Sequence, residues 1–265
     1  SAKLRHRAKQ TVRFPSFAAG VAAARALSQS GLHPANARLV DPLEALGNGL
    51  GDGSQAVLLL AFEAAGHDVR PSLEAALDRC RAHGGEWTER PERSEEDRDA
   101  GLWKRSFLQA PYLRDELVRR GLVVETFETA VTWDRFEAFH RAVRNATQAA
   151  VDQHCGAGLV TCRFTHLYPD GPAPYYTVIA RGEAGRQLEQ WDAIKQAAAD
   201  TIIAHGGTIT HHHAVGRDHR AHYAQQRSAL FGRALQAVKR EWDPEGVMNP
   251  GVLIKGNSKT NAEPH

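Results

Sequence analysis

Disulfide chemistry, membrane spans and a basic binding stripe are all missing from this chain, and each absence narrows what it can be. Its 265 residues hold three cysteines, Cys80, Cys155 and Cys162. They leave one unpaired under any disulfide scheme and show no CxxC spacing, so a reducing, cytoplasmic setting is expected. No apolar run approaches the ~18 residues of a membrane span, and no charged, then apolar, then small-residue leader opens the chain. Lys plus Arg number 33 against 31 Asp plus Glu. Nucleic-acid binding needs a concentrated basic face, and this near balance does not supply one. Only Lys3 to Lys9 is locally basic, and a flexible, solvated segment over residues 1–10 accounts for it. Methionine occurs once, at Met248. The chain opens in unpatterned charged sequence and reads as a fragment of something longer.

What is present is enough apolar residue, 42% of the chain, to build one large core or two smaller ones. Thr11 to Phe17 reads as a short strand ending at Pro15, after which Ser16 can cap a helix carrying Phe17, Val21, Ala24 and Leu27. Asn36 to Pro42 is a strand with a turn behind it. Ala56 to Glu63 is apolar on both faces and is expected to lie inside a sheet. Pro71 and Ser72 open a helix that closes at Gly84 and Gly85. From Leu102 to Arg120 the pattern is helical, and Gly121 to Thr129 alternates like a strand. Trp133, Phe136, Phe139 and Val143 mark an amphipathic helix. Gly158–Leu167 and Pro174–Arg181 form a hairpin pair around a Pro-Asp-Gly-Pro loop. Alternation lets only one of Tyr175 and Tyr176 face the core. Leu188, Trp191, Ile194, Ala198 and Ile202 form a further helical stripe, and a last helix is expected from about Asp218 to Trp242. The order predicts an α+β fold, an antiparallel sheet with helices packed on one face, and the second block echoes the first.

The chemically distinctive stretch is Thr208-Ile-Thr-His-His-His-Ala-Val-Gly-Arg217. In an extended segment His211 and His213 would share one face and His212 would take the other. Three readings are open for it: a solvated polar turn, a metal site, and a catalytic or substrate-anchoring loop. Zinc usually draws on separated ligands or helical i, i+4 spacing with Cys or carboxylate nearby, and the cysteines here are remote in sequence. Gly206 and Gly207 before the run, and Gly216 after it, give the backbone freedom to set imidazoles against a ligand. Histidine suits proton transfer near neutral pH.

The motifs Phe14-Pro-Ser-Phe17, Arg38-Leu-Val-Asp41, Phe127-Glu-Thr-Ala-Val-Thr-Trp-Asp134, Thr161-Cys-Arg163, His211-His-His-Ala-Val-Gly216 and Asp243-Pro-Glu-Gly-Val-Met-Asn-Pro-Gly251 occur in one order across nearly the whole chain. In that order they resemble the C-terminal half of FAD-linked oxidases of the vanillyl-alcohol oxidase type, and within them the alkyldihydroxyacetonephosphate synthases of ether-lipid synthesis. The resemblance implies a cap, or substrate, domain over 11–242. A tail over 243–265 would return to an FAD-binding half whose glycine-containing pyrophosphate loop has no counterpart here.

The resemblance also assigns roles. Arg38 matches an arginine of the active-site region, Arg114 the arginine expected to bind substrate phosphate, and Arg163 a further substrate-side group. Tyr175 matches the proposed acid/base tyrosine. His211, His212 and His213 match a catalytic triplet with His212 as the leading candidate, and His211, His213 and Asn249 are expected to reach FAD. No metal ligand is assigned. Ala214 replaces a usual glycine and Arg217 a frequent lysine, and Ala214 raises the question whether the loop still reaches the flavin. The implied partners are a phosphate- or lipid-like small molecule and the FAD-binding half, with a homodimer and a peripheral membrane contact as further expectations. The rival readings are an FAD-dependent dehydrogenase or oxidase of a 2-hydroxy acid and a cap domain that only binds a ligand.

Overall fold

The structure is a computed structural model that describes residues 5–88 and 113–254. Six strands form one sheet in the order β1-β3-β2-β5-β6-β4. They are β1 (His6–Phe14), β2 (Asn36–Val40), β3 (Ala56–Ala64), β4 (Leu122–Glu128), β5 (Gly158–Leu167) and β6 (Pro172–Arg181). Every neighbouring pair is antiparallel. The α+β class therefore stands, and Ala56–Glu63 is an interior strand as its apolar run predicts.

The N-terminal expectation is corrected. His6 to Lys9 are paired with Ala64 to Ala61, so the basic run is sheet from His6 onward rather than a loose arm. Its charges are tolerated because β1 is an edge strand whose alternate residues face outward.

Four helices cover one face: α1 (Phe17–Ser28), α3 (Arg70–Ala82), α4 (Trp133–Cys155) and α5 (Gln187–Ala204). Ser16 starts α1 by accepting the Ala19 N–H at 3.2 Å, a side-chain cap for an otherwise orphaned donor. Gly156 ends α4 in the left-handed conformation at φ 71°, which glycine adopts without a Cβ penalty. The α4 stripe of Trp133, Phe136, Phe139, Val143 and Val151 is buried against Phe164, Tyr176 and Val178 of the sheet. At ~1.5–3 kcal/mol per fully buried large apolar side chain, this layer is the main stabilising mass of the domain. In α5 the stripe departs from expectation: Leu188 in its first turn is 76% exposed. Lys195 is buried instead, its Nζ donating to Glu125 Oε1 at 2.7 Å.

The short helix α2 (Pro42–Gly47) lies on the opposite face. There Val40, Ala45, Leu50, Val57 and Leu59 form a separate cluster, as alternation requires once Leu39, Leu58 and Leu60 point to the main core. The expected last helix is two, α6 (Arg220–Gln226) and α7 (Ala229–Trp242). Arg227 is extended at ψ 148° and Ser228 caps α7 by accepting the Phe231 N–H. A serine hydroxyl competes well for a helix-start N–H, so the chain breaks there. Residues 113–119 are also helical, and the part of the helical expectation from Leu102 to Tyr112 lies outside the described residues.

β5 carries a register shift between Phe164 and His166. One extra residue opposite Ala173 and Pro174 lets Thr165 and His166 both reach the face away from the helices.

Candidate active site on the face opposite the four helices

Pairing across β2, β5, β6 and β4 sets Val40, Arg163, Tyr175 and Glu128 in one row on that face. Tyr176, the next residue, is fully buried on the other side. The tyrosine pair thus splits as alternation demands. Arg163 lies over the Tyr175 ring, its guanidinium carbon 3.9 Å from the centroid. Its Nη1 donates to Glu44 Oε1, and Thr161 Oγ1 donates to the other carboxylate oxygen. Arg38, from the same face of β2, is held below the ordinary arginine pKa by burial and by the neighbouring Arg163 charge.

The histidine loop closes the Glu128 end of the row. Gly206 is left-handed at φ 74°, and at Gly207 a Cβ would lie 2.5 Å from the Phe139 ring. Both glycines are therefore required, one for conformation and one for close approach. Beyond them the chain runs beside β4. Thr208 N–H donates to Ala130 O at 3.0 Å and His211 N–H to Glu128 O at 3.1 Å, and Ile209 is buried.

Here the extended reading of the histidines is overturned. His212 is left-handed at φ 57°, a region histidine enters more readily than most residues. His213 N–H donates to His211 O at 2.7 Å, so the three form a tight turn rather than a strand. His212 therefore folds back over His211, with ring centroids 4.1 Å apart and nearly parallel, and meets His166 edge-on at 4.3 Å. His213 turns to Tyr175, at 5.4 Å and 88°.

His211 is gripped on both sides. Tyr168 Oη is 3.2 Å from its Nε2, and its Nδ1 faces Glu128 Oε1 at 3.5 Å, beyond good hydrogen-bond length but within ion-pair range. A carboxylate only accepts, so in neutral His211 the hydrogen belongs on Nδ1, and Nε2 accepts the phenolic proton of Tyr168. Burial and the facing imidazole of His212 hold the His166 pKa below its usual value. Glu128, His166 and His212 each offer one ligand atom within 4.8 Å of one another. Two imidazoles and a carboxylate are a donor set of the kind that holds zinc.

The model of the family described as FAD linked oxidases, C-terminal domain, matches residues 3–253. The chain belongs to that family. It is 35% identical over 147 residues to alkyldihydroxyacetonephosphate synthase of Caenorhabditis elegans, covering 54% of this chain and 24% of that protein. To the protein of the same name from Trypanosoma brucei brucei it is 27% identical over 154 residues, covering 57% and 25%. Among solved structures, an alkyldihydroxyacetonephosphate synthase shares its fold with a TM-score of 0.69 at 17% identity, over 93% of this chain and 45% of that one. A p-cresol methylhydroxylase with substrate bound follows at 0.65 and 13%, over 94% and 53%. The chain thus spans about a quarter of the curated relatives and about half of these solved chains. The family is FAD-linked, and what this chain covers is its C-terminal domain.

Within this FAD-linked oxidase C-terminal domain, Arg38, Arg163, Tyr175 and the three histidines share one face, while two expected site residues stand apart. Arg114 is exposed on the 113–119 helical segment, which joins β4 at the Leu122 end, opposite Glu128. No described contact links it to the row. Asn249 is exposed and left-handed at φ 48° in the tail. The tail itself returns to the histidine loop, Leu253 N–H donating to Gly216 O at 3.1 Å. Ala214 is not among the left-handed residues, so replacing glycine there costs no backbone strain. Glu44, Glu128, His166 and Tyr168 were not singled out as site residues from sequence. Strand alternation carried a signal for Glu128, whereas the bulge in β5 hid His166.

Proposed function

We propose that this domain is the substrate side of an FAD-dependent enzyme that exchanges acyl for alkyl on dihydroxyacetone phosphate, the step that forms an ether lipid. The observation that carries the reading is the gathering of Arg163, Tyr175 and the histidine turn, with Arg38 beside them, on one open face. The likeness to the synthases named above supports it. That face suits a flat heteroaromatic group, since it presents stacked imidazoles and a phenol with donor and acceptor atoms rather than an apolar wall. FAD, bound mainly by the other half of the enzyme, would supply the reactive centre, with His211 and His213 the proposed neighbours from this chain.

The chain's own work is then anion binding and proton handling. Arg38 offers a fixed cation, and a guanidinium fork fits a phosphate. Exchange requires one proton delivered to a departing carboxylate and one taken from an incoming alcohol. Tyr175 against His213, and Tyr168 hydrogen-bonded to His211, place two hydroxyl-bearing groups on the same face, each backed by an imidazole.

A second reading, an FAD-dependent dehydrogenase of a 2-hydroxy acid, is favoured by the Glu128, His166 and His212 cluster, which could hold a metal beside a substrate hydroxyl. One experiment separates the two. In the complete flavoprotein, lactate or glycolate under anaerobic conditions should leave the flavin oxidised, while labelled fatty alcohol should enter acyl-dihydroxyacetone phosphate. Flavin bleaching without exchange would replace the first reading by the second.

A further inference from the structure

Glu44 is a carboxylate that the fold has diverted. The sequence Asp41-Pro-Leu-Glu44 is an acidic relative of a capping box, in which the first residue accepts from the N–H three residues on and the fourth reaches back to the first residue's N–H. Half of that happens here: Asp41 Oδ1 accepts the Glu44 N–H at 2.7 Å. The return contact does not form, because the Asp41 N–H donates to Cys162 O at 3.0 Å and Asp41 Oδ2 accepts the Cys162 N–H at 2.7 Å. Asp41 thereby stitches the start of α2 to β5, and the Glu44 side chain is released to cross the sheet. It is 5% exposed, and its two oxygens take Thr161 Oγ1 and Arg163 Nη1. Burying an ion pair seldom adds stability over apolar packing, so its retention asks for a reason of orientation.

We infer that Glu44 is a positioning residue, which holds the Arg163 guanidinium over the Tyr175 ring and so fixes the phenol against His213. Thr161 sets the carboxylate, the carboxylate sets Arg163, and Arg163, only 15% exposed, covers one face of the Tyr175 ring at 3.9 Å. The charge of Arg163 is already matched by Glu44, so its task differs from the substrate binding that the family resemblance implies. The inference rests on Tyr175 being the acid/base group proposed above.

The test is a double-mutant cycle on turnover of the complete flavoprotein, joined to a spectroscopic reading of the ring itself. Glu44→Gln should lower kcat about tenfold with KM within about twofold, and Tyr175→Phe about 100-fold. The double variant should be no slower than Tyr175→Phe alone, because the second loss is already contained in the first. A multiplicative double loss, or a full-speed Glu44→Gln, overturns the inference. If Tyr175→Phe turns over at full speed, the functional reading of Tyr175 has failed, and the ring measurement still judges Glu44. With 3-fluorotyrosine at the five tyrosines, Glu44→Gln should move the Tyr175 fluorine resonance and leave that of Tyr176 in place. A general structural disturbance would move both, and that result counts against positioning. Should Glu44→Gln not fold, Glu44→Gln combined with Arg163→Met removes both charges, and an unmoved Tyr175 resonance there is equally fatal.

Discussion

The sheet is two halves of the same design put to different use. β1, α1, β2, β3 and α3 follow the same order as β4, α4, β5, β6 and α5, and the halves meet where β2 lies beside β5. In both, the helices bury an apolar face. The other faces part company. In the first half that face is plugged by α2 and the cluster of Val40, Ala45, Leu50, Val57 and Leu59. In the second it carries Arg163, Tyr175, Glu128 and His166, roofed among the described residues by the histidine turn and, over Arg163, by Glu44. A duplicated scaffold thus keeps one copy for stability and leaves the other open for chemistry, with α2 the one piece of the plugged half that reaches across through Glu44.

The largest expected effect tests whether the halves are one body. Phe164 is fully buried at the seam, 5.6 Å from Phe17 of the first half and 5.0 Å from Phe136 of the second. Phe164→Ala should cost about 3–5 kcal/mol and shift a single cooperative urea transition. Two separate transitions would show that the halves fold independently. Next comes the division of labour. Val57→Ala, on the plugged face, should lose about 2 kcal/mol of stability and leave turnover of the complete flavoprotein intact. Tyr175→Phe, with its large loss of turnover, should stay within about 0.5 kcal/mol of the parent. If urea midpoints and turnover rates do not separate in this way, the contrast between the faces is wrong.

The smallest effect is one of pH. Burial raises Asp41 of the first half from its ordinary 3.8 to about 6, so the stability it brings is full below pH 3.8 and lost as pH rises through about 6. Burial lowers His140 of the second half from 6.5 to about 4. Its contribution is full above pH 6.5 and lost as pH falls through about 4. The two oppose each other between pH 4 and 6. Asp41→Asn removes the downward contribution, so the urea midpoint should climb more steeply from pH 4.5 to 6.5 than in the parent. An unchanged slope would deny the buried carboxyl its role.

Much of this contrast could be read in advance, for local reasons. Ser16, the apolar run of β3, the stripe of α4 and the split of Tyr175 from Tyr176 are each governed by period or by a cap, and they stand in the structure as read. The failures share another cause. His212 folds back because the loop is tied to Glu128, Ala130 and Thr129, contacts some 80 residues away that no local pattern encodes. Glu44 falls where the sequence reads only a turn, and the structure makes that stretch the helix α2, whose capping partner is taken by the pairing of β2 with β5. Lys195 sits inside an apolar stripe because Glu125, 70 residues earlier, meets it there.

The odd residue in β5 has a consequence of its own. Were the strand to run on past Phe164 without its shift, Thr165 would stand opposite Ala173 and the next imidazole would swing in among phenylalanines. What keeps His166 outdoors is arithmetic: a count of residues between two turns. Anyone transplanting this chemistry to another sheet would have to copy the miscount along with the histidine.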